Sequence, residues 1–288
     1  MNIEERLLEK KKAVEQGLER VLSQGDSLLF RAMRYAVLSG GKRFRPLLTL
    51  SSGECFGVSR DVLLPFACAL ELIHNYSLVH DDLPSMDNDD FRRGKPSCHK
   101  EYGEGIALLT GDSLLTLAFE VLAQAPVDEK LKSKKEQIIK EISHLAGVNG
   151  MIGGQLMDVT LSPGELTDKI FNELIQKKTG ALIIASVKTG SILGGATNSE
   201  LGAMVEYGKN IGIAFQIRDD ILDSASEAQE GQLARPNSVS LFGLEDSKCR
   251  VKNCVEAAKA ALDEASLESE ELNYLASKLL ELGNRKGK

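Results

Sequence analysis

The residues with the clearest chemical potential lie together at 78–95, in the stretch LVHDDLPSMDNDDFRRGK. Five carboxylates fall within ten residues and three basic side chains follow: Asp81, Asp82, Asp87, Asp89, Asp90, Arg92, Arg93 and Lys95. Two carboxylates about 5 Å apart repel each other by roughly 3 kcal/mol at an effective dielectric constant of about 20, so a cleft that holds several needs a cation. Oxygen ligands suit Mg²⁺, which shares its coordination with substrate phosphates, and arginine binds phosphate oxygens. The stretch alone is equally consistent with a metal–diphosphate site and with a solvated charged turn.

A second acidic stretch, QIRDDILD at 216–223, lies within an apolar helical pattern. Asp219 and Asp223 are four residues apart and share one helix face, with Gln216 one turn earlier. Like charges at this spacing destabilise a helix, so a bound cation again explains the pattern. Two such clusters, about 140 residues apart, favour the metal–diphosphate interpretation and predict facing helices that bind metal between them.

The elements that must position these residues are predicted to be helices throughout. The hydrophobic period is helical and no convincing β-strand interrupts it, which predicts an all-α fold, a single-domain antiparallel helical bundle around a central cavity. Pro84 should end the helix that leads into the first acidic stretch. The predicted helices are 3–23, 28–38, 62–82, 102–125 with an interruption at Gly111-Asp112, 136–158 with glycines that indicate close helix approach or a kink, 167–193 with a local break at Thr179-Gly180, 205–222, and two within 245–282 that end at Gly283.

Composition excludes several other classes of protein. The net charge is −7 and no basic stripe is visible, which argues against nucleic acid as a partner. The five cysteines form no CxxC pair and suit a reducing cytosol, so a cytoplasmic location is expected. The charged N-terminus has no apolar signal core, and no run of some 18 apolar residues occurs, so no membrane span is expected.

The two acidic stretches resemble the two aspartate-rich motifs of bacterial trans-prenyl (isoprenyl) diphosphate synthases. Three further stretches match that family in the same order: GGKRFRP at 40–46, GQLMD at 154–158 and KTG at 178–180. The likeness covers about 29–244 and is strongest to the farnesyl diphosphate synthase branch. It implies the isoprenoid synthase fold, one polyprenyl synthetase domain over 1–288, and a homodimer.

The resemblance also implies an activity, a Mg²⁺-dependent condensation of isopentenyl diphosphate with an allylic diphosphate (dimethylallyl or geranyl) to give farnesyl diphosphate. Mg²⁺ would be bound by Asp81, Asp87 and Asp219, with support from Asp82 and Asp223. The allylic diphosphate would be held by Arg92, Lys178 and Gln216 and oriented by Thr179. Isopentenyl diphosphate would be held by Lys42, Arg45, His74 and Arg93. The residues expected to be catalytic are Asp81, Asp87, Lys178 and Asp219.

Product length is expected to depend on Tyr76 and Ser77, which precede Asp81 by five and four residues. In the resembled family these positions form the floor of the product pocket. An aromatic ring there would stop chain growth early, which favours a C15 product over C10 or C20. The alternative is that Tyr76 is an ordinary core residue.

The chain departs from the family pattern after Asp223. The family's Gly-Lys pair has no counterpart, Arg235 stands near the position of a second lysine, and Asn237 and Ser238 replace a Thr-Tyr pair. The segment 224–238 is either a natural deletion or lacks a loop, and a natural deletion would remove a lysine that binds diphosphate.

The shortened segment leaves alternatives open. One is a non-catalytic subunit that binds prenyl diphosphates or regulates a partner chain. Others are a geranyl or geranylgeranyl diphosphate synthase and a class I terpene cyclase, although DDILD argues against a cyclase. A purely structural helical protein would leave both acidic clusters unexplained.

Overall fold

A computed structural model describes residues 1–162, 165–230 and 237–281. The helices of its first half are α1 Ile3–Leu22, α2 Leu28–Leu38, α3 Phe44–Cys55, α4 Arg60–Asp81, α5 Cys98–Tyr102, α6 Glu104–Gln124 and α7 Lys132–Ala146. Those of its second half are α8 Met151–Thr160, α9 Asp168–Ile175, α10 Ala181–Gly194, α11 Asn198–Glu230, α12 Ser238–Phe242, α13 Leu244–Glu264 and α14 Glu270–Ser277. A π-helical turn, Gln176–Gly180, joins α9 to α10, and short 3₁₀ turns lie at Glu129–Leu131 and Lys278–Leu280. The all-α prediction is confirmed.

Side-chain caps fix where several helices begin. Asn2 accepts a hydrogen bond from the backbone of Glu5, whose side chain returns one to Asn2, so α1 starts with a capping box. Ser27 and Ser269 cap α2 and α14 in the same way with one hydroxyl each. These local signals set helix ends, and tertiary packing then buries the apolar faces.

The core is centred on three helices. All residues of α3 from Phe44 to Gly53 are buried, and most of α10 and half of α4 are buried with them. Gly190 allows α10 to approach α3 closely, since a Cβ there would lie 2.4 Å from the Gly53 backbone nitrogen. Around this centre, α4 packs on α6, and α11 packs on both α10 and α13.

The C-terminal part of α4 and the interior of α11 face a common hollow. This cavity has a volume of ≈ 1530 Å³ and is also lined by residues from α6, α8, the π-helical turn and the segment before α3. The predicted central cavity therefore exists, and helices from both halves of the chain form its wall.

Several predicted boundaries are wrong, and glycine explains two of them. The predicted helix 136–158 is two helices, because the chain is extended at Gly147 and a Cβ at Gly150 would lie 1.9 Å from the Leu145 carbonyl oxygen. The predicted interruption at Gly111-Asp112 does not occur. Gly111 lies inside α6, where a Cβ would lie 2.0 Å from the His80 ring, so the glycine makes room for a side chain of α4.

Other differences are smaller. The second-motif helix extends well beyond 205–222, to Asn198–Glu230. The described residues also contain one short antiparallel strand pair, β1 Phe91–Arg92 and β2 Lys95–Pro96, which the hydrophobic pattern did not predict. The helices predicted within 245–282 are α13 and α14, and the predicted stop at Gly283 lies outside the described residues.

Two helices, α4 and α6, are long and apolar enough to cross a membrane by length and composition, contrary to the expectation from the sequence. In α4, 67% of the most apolar 18-residue window is buried, so the protein core accounts for its apolar character. In α6, 39% of the corresponding window is buried. Core helices commonly pass this test, so the finding alone is weak support for a membrane span.

Candidate active site

The first acidic motif begins where α4 ends. The helix stops at Asp81, before Pro84 as predicted, and the chain then folds back so that the Asp87 backbone N–H donates to the Asp81 carbonyl oxygen at 2.8 Å. The turn leads into the β1–β2 hairpin, where Arg93 and Gly94 both have positive φ. The hairpin carries Arg92 and Arg93 back over the end of α4.

The second aspartate of the motif is bound to one of these arginines. Arg92 Nε donates to Asp82 Oδ1 at 2.9 Å, and its Nη2 donates to Asp82 and to Asp89. Asp82 is only 2% exposed. Burial raises the pKa of the Asp82 carboxyl, and the hydrogen bond from Arg92 offsets part of that shift. This contact fixes the guanidinium at the edge of the cavity.

The first aspartate, Asp81, lines the cavity. Burial raises its pKa to about 6, while the charge of Lys178 lowers it and the nearby Asp87 raises it. A carboxylate whose ionised form is disfavoured by burial gains from a nearby cation. Lys178 is thus near enough to Asp81 to act on it across the cavity.

Lys178 and Thr179 are presented by the π-helical turn. A Cβ at Gly154 of α8 would lie 2.2 Å from the Lys178 nitrogen, and a Cβ at Gly212 of α11 would lie 2.7 Å from the Gly180 Cα. Two glycines therefore let α8 and α11 pack directly against the turn. π-Helical turns are rare overall, and those that occur are often at functional sites. The predicted local break is present as such a turn, a form that the sequence did not specify.

The two residues of the turn have different partners. Lys178 Nζ donates to Asp158 of α8 at 2.5 Å, and the Thr179 hydroxyl donates to Gln216 of α11 at 2.8 Å. The turn thereby joins the predicted GQLMD stretch to the second acidic motif. Gln155 of the same stretch lines the cavity.

The second acidic motif lies within α11 and divides its aspartates between two roles. Asp219 lines the cavity, and its carboxylate is 3.7 Å from Lys42 Nζ. Asp220 is 8% exposed and accepts hydrogen bonds from Gln216 Nε2 and from the Ser238 backbone N–H, both at 2.9 Å. Burial raises the pKa of Asp220 and these hydrogen bonds oppose that rise. The sequence analysis assigned Asp220 no role.

A basic group occupies the side of the cavity beside α3. Lys42, Arg45, His74 and Arg93 all line it. Burial lowers the pKa of His74 well below its usual value, and the charges of Arg45 and Arg93 lower it further, so its imidazole is neutral. Burial also lowers the pKa of Arg45 and of Arg93. The arrangement is a positively charged cradle suited to an anion.

Below the acidic residues, the helix α4 supplies an aromatic ring. Tyr76 is buried, lines the cavity and makes an edge-to-face contact with His80, with ring centroids 5.8 Å apart. Burial raises the pKa of its hydroxyl to about 12, so the phenol is neutral. Ser77 also lines the cavity and its hydroxyl donates to the His74 carbonyl oxygen at 3.0 Å.

The structure brings most of the predicted site residues to one cavity. Those that line it are Lys42, Arg45, His74, Tyr76, Ser77, Asp81, Arg92, Arg93, Lys178, Thr179, Gln216 and Asp219. Asp82, Asp87 and Asp223 are outside its lining. The sequence analysis missed Arg43 and Glu71, which both line it. A glutamate inside the apolar pattern of α4, one turn before His74, was the available signal for Glu71.

The carboxylates that could hold a metal are hard oxygen donors, which fits Mg²⁺. In the described part of the chain, no three carboxylates, imidazoles or thiolates converge closely enough to hold an ion by themselves. Mg²⁺ is commonly bound by one or two carboxylates together with substrate phosphates, so this donor set fits an ion whose coordination the substrate completes.

Comparison with known proteins gives the same result from independent information. Residues 26–234 match the family model described as polyprenyl synthetase. The chain is 39% identical over 287 residues to a farnesyl diphosphate synthase of Geobacillus stearothermophilus, covering 96% of each chain. It is also 39% identical to a geranylgeranyl diphosphate synthase of Cyanophora paradoxa, covering 88% of this chain and 87% of that protein.

Solved structures agree. An FPP/GFPP synthase from Zymomonas mobilis has a TM-score of 0.86 and 33% sequence identity, covering 97% of this chain and 99% of that one. The predicted resemblance and the predicted enzyme class, a prenyltransferase, are confirmed. The chain belongs to the polyprenyl synthetase family.

Proposed function

We propose that this protein condenses isopentenyl diphosphate with dimethylallyl or geranyl diphosphate and forms farnesyl diphosphate for isoprenoid biosynthesis. The observation that carries the proposal is that Asp81 and Asp219, from acidic motifs far apart in sequence, line one cavity together with basic side chains. Acidic groups suit a metal, and the basic groups suit diphosphates.

The two substrates would occupy different sides of the cavity. Arg92, Lys178 and Gln216 would hold the allylic diphosphate, which leaves in the reaction. Lys42, Arg45, His74 and Arg93 would hold isopentenyl diphosphate, whose double bond attacks the allylic carbon as the C–O bond to the diphosphate breaks. A proton is then lost from the adjacent carbon, and the departed diphosphate is a suitable acceptor because the motifs offer no evident general base.

Mg²⁺ fits the acidic side of the cavity. Asp81, Asp87 and Asp219 would bind it, with Asp82 and Asp223 in support. When bound, the metal neutralises negative charge on the departing diphosphate. The protein's own contribution is to orient both diphosphates and to surround the allylic carbon with apolar side chains that exclude water.

The C15 length in this proposal rests on Tyr76 and Ser77, which lie on the cavity wall one turn or more before Asp81. A growing chain that passes Asp81 would meet the Tyr76 ring. The relatives include synthases named for C15 and for C20 products, so the ring is the feature of this chain that favours the shorter product.

Incubation of the purified protein with Mg²⁺, isopentenyl diphosphate and each allylic diphosphate tests the proposal. Farnesyl diphosphate, identified by chromatography of the dephosphorylated products, is expected. No product at any protein concentration would instead support a non-catalytic subunit, the alternative raised by the shortened segment 224–238. Hydrocarbon formed from farnesyl diphosphate without isopentenyl diphosphate would support a cyclase. Arg235, the possible substitute for the family's lysine, lies outside the described residues.

We further propose a cytoplasmic homodimer in which 1–288 form one domain. In the described structure all five cysteines are free, which suits a reducing compartment. The α6 helix leaves Leu108 and Leu109 about half exposed, at 49% and 51%, which suits contact with a second copy. Light scattering should give twice the chain mass, and Leu109→Lys should lower it towards that of a monomer.

A further inference from the structure

We infer that Glu71 is a positioning residue that aligns two segments, or arms, of the isopentenyl diphosphate cradle. It is connected to the first arm through Arg43 and to the second through Asn75 and Arg93. The inference deepens the proposed function and rests on it, since it concerns how that cradle is held in place. Glu71 lies on α4, ten residues before Asp81, and its side chain is 2% exposed.

The first arm is the Gly-Gly loop before α3, which carries Lys42 and Arg45. Between them stands Arg43, which has a positive φ of 53° as the N-cap residue of α3 and is almost fully buried. Arg43 Nη1 donates to Glu71 Oε1 at 2.8 Å, and its Nη2 donates to the Val37 carbonyl oxygen at 2.7 Å. A residue in this backbone conformation is held by its contacts, so the ion pair fixes the loop between the two cradle residues.

The second arm is the β-hairpin, which carries Arg93. Asn75 Nδ2 donates to the Glu71 carbonyl oxygen at 2.7 Å and lies 3.4 Å from Glu71 Oε1. The other end of the Asn75 amide accepts a hydrogen bond from Arg93 Nη1 at 3.3 Å. The Glu71 backbone carbonyl and, at the longer distance, its carboxylate therefore orient Asn75, and Asn75 orients Arg93.

The two arms also touch each other. A Cβ at Gly41 would lie 3.1 Å from the Arg93 guanidinium carbon, so that guanidinium packs against the Gly-Gly loop. A displacement of either arm would therefore move the other. The Glu71 carboxylate, which is connected to both arms, is placed to fix their relative position.

Charge gives a second reason for a carboxylate at this place. Arg43, Arg45 and Arg93 gather on one side of the cavity, and their mutual repulsion would oppose a fixed arrangement before substrate binds. Burial lowers the pKa of Arg45 and of Arg93, and for both the charge of Glu71 is the leading influence in the opposite direction. Among the described residues, Glu71 Oε2 has no hydrogen-bond partner, so the contact with Arg43 uses only one oxygen of the carboxylate.

Glu71→Gln tests the role of that charge, because glutamine keeps an acceptor oxygen for Arg43 and Asn75. We expect the KM for isopentenyl diphosphate to rise about tenfold, the cost of losing a charged hydrogen bond, with kcat and the KM for the allylic substrate changed less than twofold. An unchanged or lower KM for isopentenyl diphosphate would overturn the inference, since a carboxylate that only repels the substrate would give that result when removed.

Asn75→Ala tests the branch to Arg93. The KM for isopentenyl diphosphate should rise about threefold in the native background and should not rise further in an Arg93→Ala background, because the amide acts only through that arginine. Independent, additive effects of the two substitutions would contradict the connection.

Glu271→Gln is a matched control, since Glu271 is a buried carboxylate that pairs with Lys10 and accepts from Ser51 outside the cavity lining. It should lower the melting temperature and leave the KM values unchanged.

Titration calorimetry with isopentenyl diphosphate on the native and Glu71→Gln proteins repeats the test without turnover. A native protein that binds but does not react would overturn the proposed function alone, whereas equal affinity of the two proteins would overturn this inference alone. A native protein that does not bind isopentenyl diphosphate would overturn both.

Discussion

The two acidic motifs have similar sequences but are supported by different parts of the molecule. The first lies in a turn after a helix end, and its supporting cation, Arg92, comes from the hairpin only ten residues after Asp82. The second lies inside α11. Gln216 of the same helix donates to Asp220, but two further partners come from distant segments, Lys42 for Asp219 and the Ser238 backbone for Asp220. The first motif is therefore supported by residues close in sequence, whereas the second depends largely on residues far from it in the chain.

The comparison also reveals a common division of labour. In each Asp-Asp pair the first aspartate lines the cavity, and the second is nearly fully buried in a hydrogen-bonded contact, Asp82 with Arg92 and Asp220 with Ser238. The first member of each pair is therefore placed to meet metal or substrate, and the second to hold the motif in position.

The largest expected effect is on the first member of the first pair. Asp81→Ala should lower kcat by ~10²–10³-fold, because it removes a carboxylate proposed to bind the Mg²⁺ that would neutralise the departing diphosphate. Steady-state assays over a range of Mg²⁺ concentrations measure the loss. Asp61→Ala, at the exposed opposite end of α4, is the control and should leave turnover near its native value. Near-native turnover of Asp81→Ala would refute the metal assignment.

The second member of the second pair should act mainly on stability. Asp220→Ala leaves the buried Ser238 N–H without its acceptor, which should lower the free energy of unfolding by about 1–3 kcal/mol. Urea denaturation followed by circular dichroism measures this change. If stability were unchanged and the Mg²⁺ requirement rose sharply instead, Asp220 would be a metal ligand and the proposed division of labour would be wrong.

The sequence predicted the helices because they depend on short-range pattern, and the family resemblance supplied many of the residues that line the cavity. Residues such as His74 and Asp81, seven apart in an apolar helix, must share a face, and that face had to meet a cavity. The first and second members of each Asp-Asp pair could not be told apart, since neighbours on a helix point about 100° apart and only distant partners decide which one faces inward. Ser238 follows Asp220 by 18 residues, and no local pattern connects them.

Glycines were the other source of error. The sequence analysis interpreted Gly111 as an interruption, but a glycine also permits close packing in an unbroken helix. Gly111 accommodates His80 within α6, whereas Gly147 ends α7. A Cβ at Gly111 would meet a side chain of another helix, which is a tertiary contact, whereas a Cβ at Gly147 would meet the carbonyl oxygen of nearby Ser143.

The two motif helices should also differ in their influence on product length. Tyr76→Ala removes a ring from the cavity wall below Asp81, so products longer than C15 should accumulate. Chromatography of the dephosphorylated products with C15, C20 and C25 standards measures the shift.

Phe215→Ala is the matched control on the second-motif helix. Phe215 also lines the cavity, but its ring packs on Phe44 at 5.2 Å and lies near Lys42 beside the basic cradle. It should alter substrate affinity and leave product length unchanged. An unaltered product from Tyr76→Ala would return Tyr76 to the role of a core residue.

The smallest expected effect separates His74, on the first-motif helix, from the acidic residues that follow it. Burial, with Arg45 and Arg93 nearby, holds the pKa of His74 well below its usual value of 6.5. The unfolded chain takes up a proton at this residue below pH 6.5 and the folded protein does not. Folding stability therefore falls by about 1.4 kcal/mol for each pH unit below 6.5 until the folded imidazole is protonated.

His74→Gln should lack this loss. Between pH 6.5 and 5, its free energy of unfolding should therefore increase relative to that of the native protein. His144→Gln, at an exposed position on α7, should follow the native curve. Parallel curves for the native and His74→Gln proteins would mean that His74 takes up its proton in the folded state, and the neutral imidazole assigned to the cradle would be wrong.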